Sequence, residues 1–130
     1  MPAFSGAKPM VRDRKAAEAK GRVAEVVAMA LLAAKGYVLI KRRYKSPSGE
    51  VDLIMRKGDV TAFIEVKARV SHDAAVESIS PRQAQRISAA ASHWMAQDEV
   101  ANAGTCRFDV VAVNSALIPT HIENAFDGAC

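Results

Sequence analysis

Glu65-Val66-Lys67, inside the apolar run 60–68, puts an acid and a lysine on one side of any β-strand that contains them. Side chains alternate along a strand, so residues 65 and 67 leave the same face roughly 6.6 Å apart. Asp52 stands in a second apolar run, Val51-Asp52-Leu53-Ile54. Buried charge is costly unless it is paired or holds a metal. A sheet face with this composition is therefore either salt-bridged within itself or a site. Two carboxylates that can hold a divalent cation, with a lysine that can meet a phosphate or activate water, are the minimum for metal-assisted phosphodiester hydrolysis. On this reading Asp52 and Glu65 are the metal ligands.

Each residue also has a plainer reading. Glu65 and Lys67 can form an ion pair on the sheet, although a buried pair rarely stabilises more than apolar residues of similar volume. Aspartate is a poor strand former, so Asp52 needs an edge, an end or a site to explain it. Glu50 shares its face and is either solvated near a turn or adjacent to the metal. Glu25 is the only charged side chain between Val23 and Ala34. It lies either on a narrow exposed face, opposite Val23 and Val27, or partly buried in a helix packed on several sides.

The elements that must position these residues follow from periodicity and breakers. Residues 1–11 read as a disordered lead-in and residues 12–130 as a single domain. A helix is expected over 12–35, where Val23, Val26, Val27, Ala30, Leu31 and Ala34 mark an apolar stripe. Gly36 is placed to cap it. Strands are expected over 37–44, 50–56 and 60–69, with a turn at Ser46-Pro47-Ser48-Gly49 and a tight hairpin at Lys57-Gly58-Asp59. A loop over 70–80 leads to a second helix over 81–97, with Ser80 as cap and Pro81 in its first turn. Residues 101–105 connect to a strand over 106–114, and 121–126 suggest a short edge strand. The order helix, strand, strand, strand, helix, strand implies an α/β layer with a mixed sheet. Its second and third strands are antiparallel, and its fourth is parallel to the third.

Composition bounds the function. The chain has 130 residues, is 50% hydrophobic and only 5% aromatic, so the core should use small aliphatic side chains with helices close to the sheet. Net charge is +4, which permits a polyanionic partner. Basic residues cluster at Lys8, Arg12, Arg14, Lys15 and Lys20, and again at Lys41, Arg42, Arg43 and Lys45. The second cluster stands just before the acidic strand. Arg82, Gln83, Gln85 and Arg86 fall on the second helix, where Gln83 or Gln85 could hydrogen-bond a phosphate or water. Cys106 and Cys130 have neither a zinc spacing nor the look of a disulfide framework, which fits a reducing compartment. The run 26–34 is far short of the roughly 20 residues needed to cross a bilayer. It also lies too deep in the chain for a secretory segment. A cytoplasmic location with no membrane partner is the expectation. The histidines have no metal-ligand spacing, and there is no glycine-rich phosphate loop.

The ordered set resembles the PD-(D/E)XK nuclease superfamily and, within it, the bacterial YraN-type endonuclease-like family. The segments that carry the resemblance are Gly21-Arg22-Val23-Ala24-Glu25-Val26-Val27-Ala28, Lys35-Gly36-Tyr37, Gly49-Glu50-Val51-Asp52-Leu53-Ile54 and Phe63-Ile64-Glu65-Val66-Lys67. Arg107-Phe108-Asp109-Val110-Val111 and His121-Ile122-Glu123-Asn124-Ala125-Phe126 continue it. The resemblance implies a restriction-endonuclease-like α/β core, with catalytic residues Glu25, Asp52, Glu65 and Lys67. It implies Mg²⁺ or Mn²⁺ at Asp52 and Glu65, with Lys67 orienting or activating water and Glu25 joining through the metal or a bound water. Likeness to archaeal Holliday-junction resolvases suggests DNA, held by Arg42, Arg43, Lys45 and Arg82. Cutting two strands would call for a homodimer. The chain departs from the family pattern at Arg43, where asparagine is usual, at Ala68, where threonine or a similar polar residue is usual, and at Gln83, near a usual lysine. The other readings of the residues are a nucleic-acid-binding domain without turnover and a structural domain whose acids are ion-paired.

Overall fold

A computed structural model describes residues 10–68 and 71–130. Its elements are α1 (Met10–Ala34), β1 (Val38–Ser46), β2 (Gly49–Lys57), β3 (Val60–Lys67), α2 (His72–Glu77), α3 (Pro81–Gln97), α4 (Glu99–Ala103), β4 (Thr105–Val113) and β5 (Pro119–Ile122). They form an α/β structure around one mixed five-stranded sheet in the order β1-β2-β3-β4-β5. Only β3 and β4 run parallel; the other neighbours are antiparallel. The hairpin at Gly58 (φ 61°) makes β2 and β3 antiparallel, and the helical crossover makes β3 and β4 parallel, as the sequence implies.

Alternation along the strands sorts the core into two faces. On one, Ala24, Ala28 and Leu32 of α1 cover Leu53, Met55, Ala62, Ile64, Val111 and Val113. On the other, Ile87, Ala90 and Ala91 of α3 cover Tyr44, Ile54, Phe63 and Phe108. Alanines at the helix contacts let both helices approach the sheet closely. Phe63 and Leu53 are fully buried, and each contributes about 2–3 kcal/mol by leaving water.

Several expectations need correction. Residues 1–9 of the expected lead-in lie outside the described residues, and the α1 backbone is already helical at Met10. The buried stripe of α1 is Ala24, Ala28 and Leu32, whereas Val23 and Val26 of the sequence-read stripe are 45% and 54% exposed. The helix is apolar nearly all round, so periodicity alone did not select the face. The expected loop over 70–80 contains α2, started by Ser71, whose side chain accepts the Ala74 N–H at 3.1 Å. The connector over 101–105 is largely α4, capped by Asp98 through the Val100 and Ala101 N–H groups. The edge strand is β5, earlier than 121–126; Asn124 (φ 52°) turns the chain beyond it. Cys106 and Cys130, expected to be unpaired, form a disulfide with Cα atoms 6.6 Å apart. The C-terminal segment folds back along α3, where Ser92 Oγ donates to the Ala129 carbonyl and Ser88 Oγ accepts the Ala129 N–H.

Candidate active site

Asp52 and Glu65 meet where the β2–β3 ladder stops. The pairing ends at Leu53↔Ile64, so the next position puts Asp52 across from Glu65. Asp52 replaces the lost ladder contact with its side chain: Oδ2 accepts the Val66 N–H at 2.8 Å. Both side chains leave the sheet on the α3 face with Glu50 and Lys67, since they share the parity of Ile54 and Phe63.

The helix above is brought close by a glycine. A Cβ on Gly49 would lie 1.8 Å from the Arg86 carbonyl oxygen, a distance only a bare Cα permits. That approach brings Gln83 and Arg86 over the acids. Glu50, Asp52, Glu65, Gln83, Arg86 and Ile87 line a cavity of about 170 Å³. Gln83 bridges the strand pair, donating from Nε2 to Glu65 Oε2 at 2.6 Å and accepting Lys67 Nζ on Oε1 at 3.3 Å. Lys67 Nζ is itself 3.7 Å from Glu65 Oε2. Arg86 Nη2 reaches Glu50 Oε1 at 3.4 Å.

Electrostatics single out the two central acids. Burial pushes the Glu65 carboxyl up to about 8, and the negative Asp52 beside it adds to the rise; Lys67 opposes it. Asp52 is also raised, chiefly by burial and then by the charge of Glu25, against the Val66 N–H that holds it down. The two carboxyl groups hydrogen-bond to each other. Like charges this close cannot both ionise without a cation between or beside them.

Glu25 reaches this cluster from α1. Its carboxylate is 12% exposed and accepts from Arg43 Nε at 3.1 Å, which supports the partly buried reading. A second cavity of about 210 Å³, lined by Glu25, Arg43, Lys45, Glu50, Val51 and Asp52, joins the two ends of the site. Arg43 has φ 49°, in the left-handed region where asparagine is enriched among residues with a side chain.

All four sequence-predicted catalytic residues, Glu25, Asp52, Glu65 and Lys67, therefore gather at one end of the sheet. Arg43 and Lys45 line its margin, Arg42 is exposed on β1, and Arg82 is exposed on α3 outside the cavity lining. Sequence reasoning undervalued Gln83 and Arg86; their neighbour Gln85 turns into a groove beside the C-terminal segment. The signal was present in the helical spacing, because residues 83, 86 and 87 share a face. Among the described residues no three His, Cys, Asp or Glu side chains are grouped to hold a metal by themselves. Two carboxylates suffice for magnesium, which commonly keeps waters and substrate phosphates in its shell.

The uncharacterised protein family UPF0102 matches residues 24–113, which contain the whole acid cluster. The chain belongs to the UPF0102 family. It is 43% identical over 122 residues to a UPF0102 protein of Bradyrhizobium sp. (strain BTAi1 / ATCC BAA-1182), covering 94% of this chain and 90% of that one. A UPF0102 protein of Maricaulis maris (strain MCS10) is 46% identical over 117 residues, covering 90% and 92%. One from Bradyrhizobium sp. (strain ORS 278) is 45% identical over 124 residues, covering 95% and 87%.

The remaining segments of the sequence pattern converge elsewhere in this UPF0102 fold. Asp109, fully buried on the α1 face, accepts both Arg107 Nε and Nη2 at 2.8 Å, the Asn124 N–H at 3.1 Å and His121 Nε2 at 2.8 Å. Arg107 also donates to the Tyr37 hydroxyl, and Lys35 Nζ contacts His121 Nδ1 at 2.7 Å. These partners hold Asp109 below the usual carboxylate range despite its burial. The network ties β4, β5 and the end of α1 together. Among the described residues no helix is long and apolar enough to cross a membrane.

Proposed function

We propose that this protein is a divalent-metal-dependent nuclease with a restriction-endonuclease-like core, hydrolysing phosphodiester bonds in DNA. The observation that carries the reading is the convergence of half-buried Asp52 and buried Glu65 on one polar cavity, with Lys67 Nζ 3.7 Å from Glu65. The donor set fits Mg²⁺ or Mn²⁺: two hard carboxylate oxygens, mutually repelling when ionised, with room for water. Asp52 and Glu65 would hold the ion, which would supply Lewis acidity and a lowered water pKa.

The chain's own groups would do the rest. Asp52 is fixed by the Val66 N–H, so its free oxygen has one direction to offer. Glu65 must release its proton to become a ligand. Lys67 is positioned by Gln83 to meet an attacking water or a phosphate oxygen. Glu25 adds negative charge from the far side of Asp52. Arg43, Lys45 and Arg86 would neutralise the approaching phosphate backbone, with Arg42 and Arg82 extending the basic surface.

Incubation with duplex, single-stranded and junction DNA, with and without Mg²⁺ or Mn²⁺, tests this. Metal-dependent cutting that vanishes in Asp52→Ala/Glu65→Ala is expected. No cutting of any substrate, or equal cutting by the double mutant, refutes it.

A second reading, a nucleic-acid-binding domain without turnover, is favoured by Gln83, which occupies hydrogen-bonding positions of both Glu65 and Lys67. It expects DNA binding that weakens with salt and is indifferent to Asp52→Ala.

A further inference from the structure

The chain's whole excess of positive charge lies ahead of the part of α1 that packs on the sheet. Residues 1–23 hold six basic and two acidic side chains, and residues 24–130 hold twelve of each. The part that carries the acid cluster is therefore neutral as a whole, and the +4 belongs to the segment before it. Where that segment is described it is helical: residues 10–23 continue α1 towards its N-terminus for about 21 Å. Lys15, Glu18, Lys20, Arg22 and Val23 are exposed, and among the described side chains Ala24 is the first buried one of α1. This half of the helix stands clear of the sheet.

Its position ties it to the acids. α1 leaves the sheet beside Glu25, whose carboxylate meets Arg43 Nε at 3.1 Å. A recess of about 380 Å³, lined by Glu18, Gly21, Arg22, Glu25 and Arg43, joins the free half to the margin of the acid cluster. Lys15, Glu18 and Arg22 are spaced three and four apart and share that side of the helix. Five cations of the sheet-bearing part have acidic partners: Arg43, Arg56, Lys67, Arg86 and Arg107. Among the described residues no salt bridge or side-chain hydrogen bond engages Lys15, Lys20 or Arg22. Gly21 is a second, independent feature. Glycine is a poor helix former, yet among the described residues nothing lies within 4 Å of the place its Cβ would take. No neighbour in the fold calls for the bare Cα, whereas close approach of a ligand does.

We infer that residues 10–23 of α1 are a nucleic-acid-binding arm lying along the phosphate backbone of a duplex beside the acid cluster. Lys15 and Arg22 meet phosphates, and Gly21 lets the backbone come close. The ligand is the nucleic acid of the function proposed above, in its cutting or its binding form, and the inference rests on it. About 21 Å of helix spans about six base pairs, so the arm grips the duplex well away from the bases at the acids. Lysine and arginine on phosphates fix position and register without reading sequence. A lipid surface, the other polyanion a basic helix can meet, needs a broad apolar face. Residues 10–23 offer only Met10, Val11 and Val23 as larger apolar side chains, at the two ends of the stretch.

Fluorescence anisotropy of a labelled duplex of about 20 base pairs, titrated with the full chain in chelator from about 0.05 to about 0.3 M salt, tests the arm. Log affinity falls with log salt by about 0.9 for each phosphate neutralised. Lys15→Gln/Arg22→Gln is expected to bind more weakly, with a slope shallower by about 2 and an unchanged circular dichroism spectrum. Gly21→Ala is expected to weaken binding several-fold without lowering Tm. Lys57→Gln, exposed at the other end of β2 from the acids, is expected to match wild type. An unchanged slope in the double variant, undiminished binding by Gly21→Ala, or an equal loss in Lys57→Gln overturns the inference, as does a wild type that binds no duplex. Anionic phospholipid vesicles that pellet wild type but not the double variant, with duplex binding unaltered, would assign the arm to a lipid surface and also overturn it. Binding is read without metal, so the arm can fail while metal-dependent cutting persists, and cutting can fail while the arm stands.

Discussion

Replacing Glu65 with glutamine should stabilise the metal-free protein while removing its metal site. The ordinary glutamate value is 4.5, and burial beside Asp52 pushes it up to about 8. Below pH 4.5 both folded and unfolded chains carry the proton, and the shift has no effect. Between 4.5 and 8 the unfolded chain ionises while the folded one keeps its proton, so wild type loses about 1.4 kcal/mol per pH unit. Above 8 the loss is complete. Glutamine fills the same space, keeps an acceptor for Gln83 and never ionises. At pH 7 Glu65→Gln should therefore gain about 3 kcal/mol, on the order of 10 °C in Tm for a domain of this size. The gain should vanish near pH 4.5 and level off above pH 8. Thermal unfolding of both proteins in chelator, at intervals from pH 4.5 to 9, measures it. A destabilised variant, or a difference that does not change with pH, would show that Glu65 is not a strained acid and would refute the reasoning.

Gln83→Lys should place an ammonium against Glu65, lowering its pKa and moving the pH midpoint of Mn²⁺ binding downward; an unchanged midpoint in calorimetric titration counts against the Gln83 contact. Gly49→Ala forces a Cβ to 1.8 Å from the Arg86 carbonyl, so α3 must retreat. Loss of roughly 2–4 kcal/mol by denaturant unfolding, with weaker Mn²⁺ binding, is expected from such overpacking. Asp109→Ala strands the Arg107 guanidinium and should cost about 3–5 kcal/mol, read by urea unfolding. Because Asp109 is held below its ordinary value, the stability it gives is present above pH 3.8 and lost as pH falls through the lower folded value. The urea midpoint of Asp109→Asn should accordingly fall less than that of wild type as pH is lowered below 3.8.

The parts legible in the sequence were those written in local rules. Ser80-Pro81 announced α3, the Lys57-Gly58-Asp59 hairpin fixed β2 against β3, and strand parity put Glu65, Lys67 and Asp52 on one face. The parts that depend on tertiary choice were not. An α1 with apolar residues on all sides offered no period to distinguish the sheet face from the outer one. Short helices α2 and α4 rest on single caps, Ser71 and Asp98, and have too few residues to show a stripe. Gln83 and Gln85 are alike as residues; only the rotation of α3, set by Gly49 beneath Arg86, puts one over the acids and the other beside the tail. The Cys106–Cys130 pairing needed the return of the C-terminal segment along α3. The Asp109 network joins residues from 35 to 124, and no spacing within one element records it.

The account stands on one cation being held by both Asp52 and Glu65. Anomalous diffraction from crystals soaked in Mn²⁺ at pH 8 reads that directly. A manganese peak within coordinating distance of both carboxylates is the predicted result; density showing the two acids still in contact, with manganese bound elsewhere or nowhere, would contradict it.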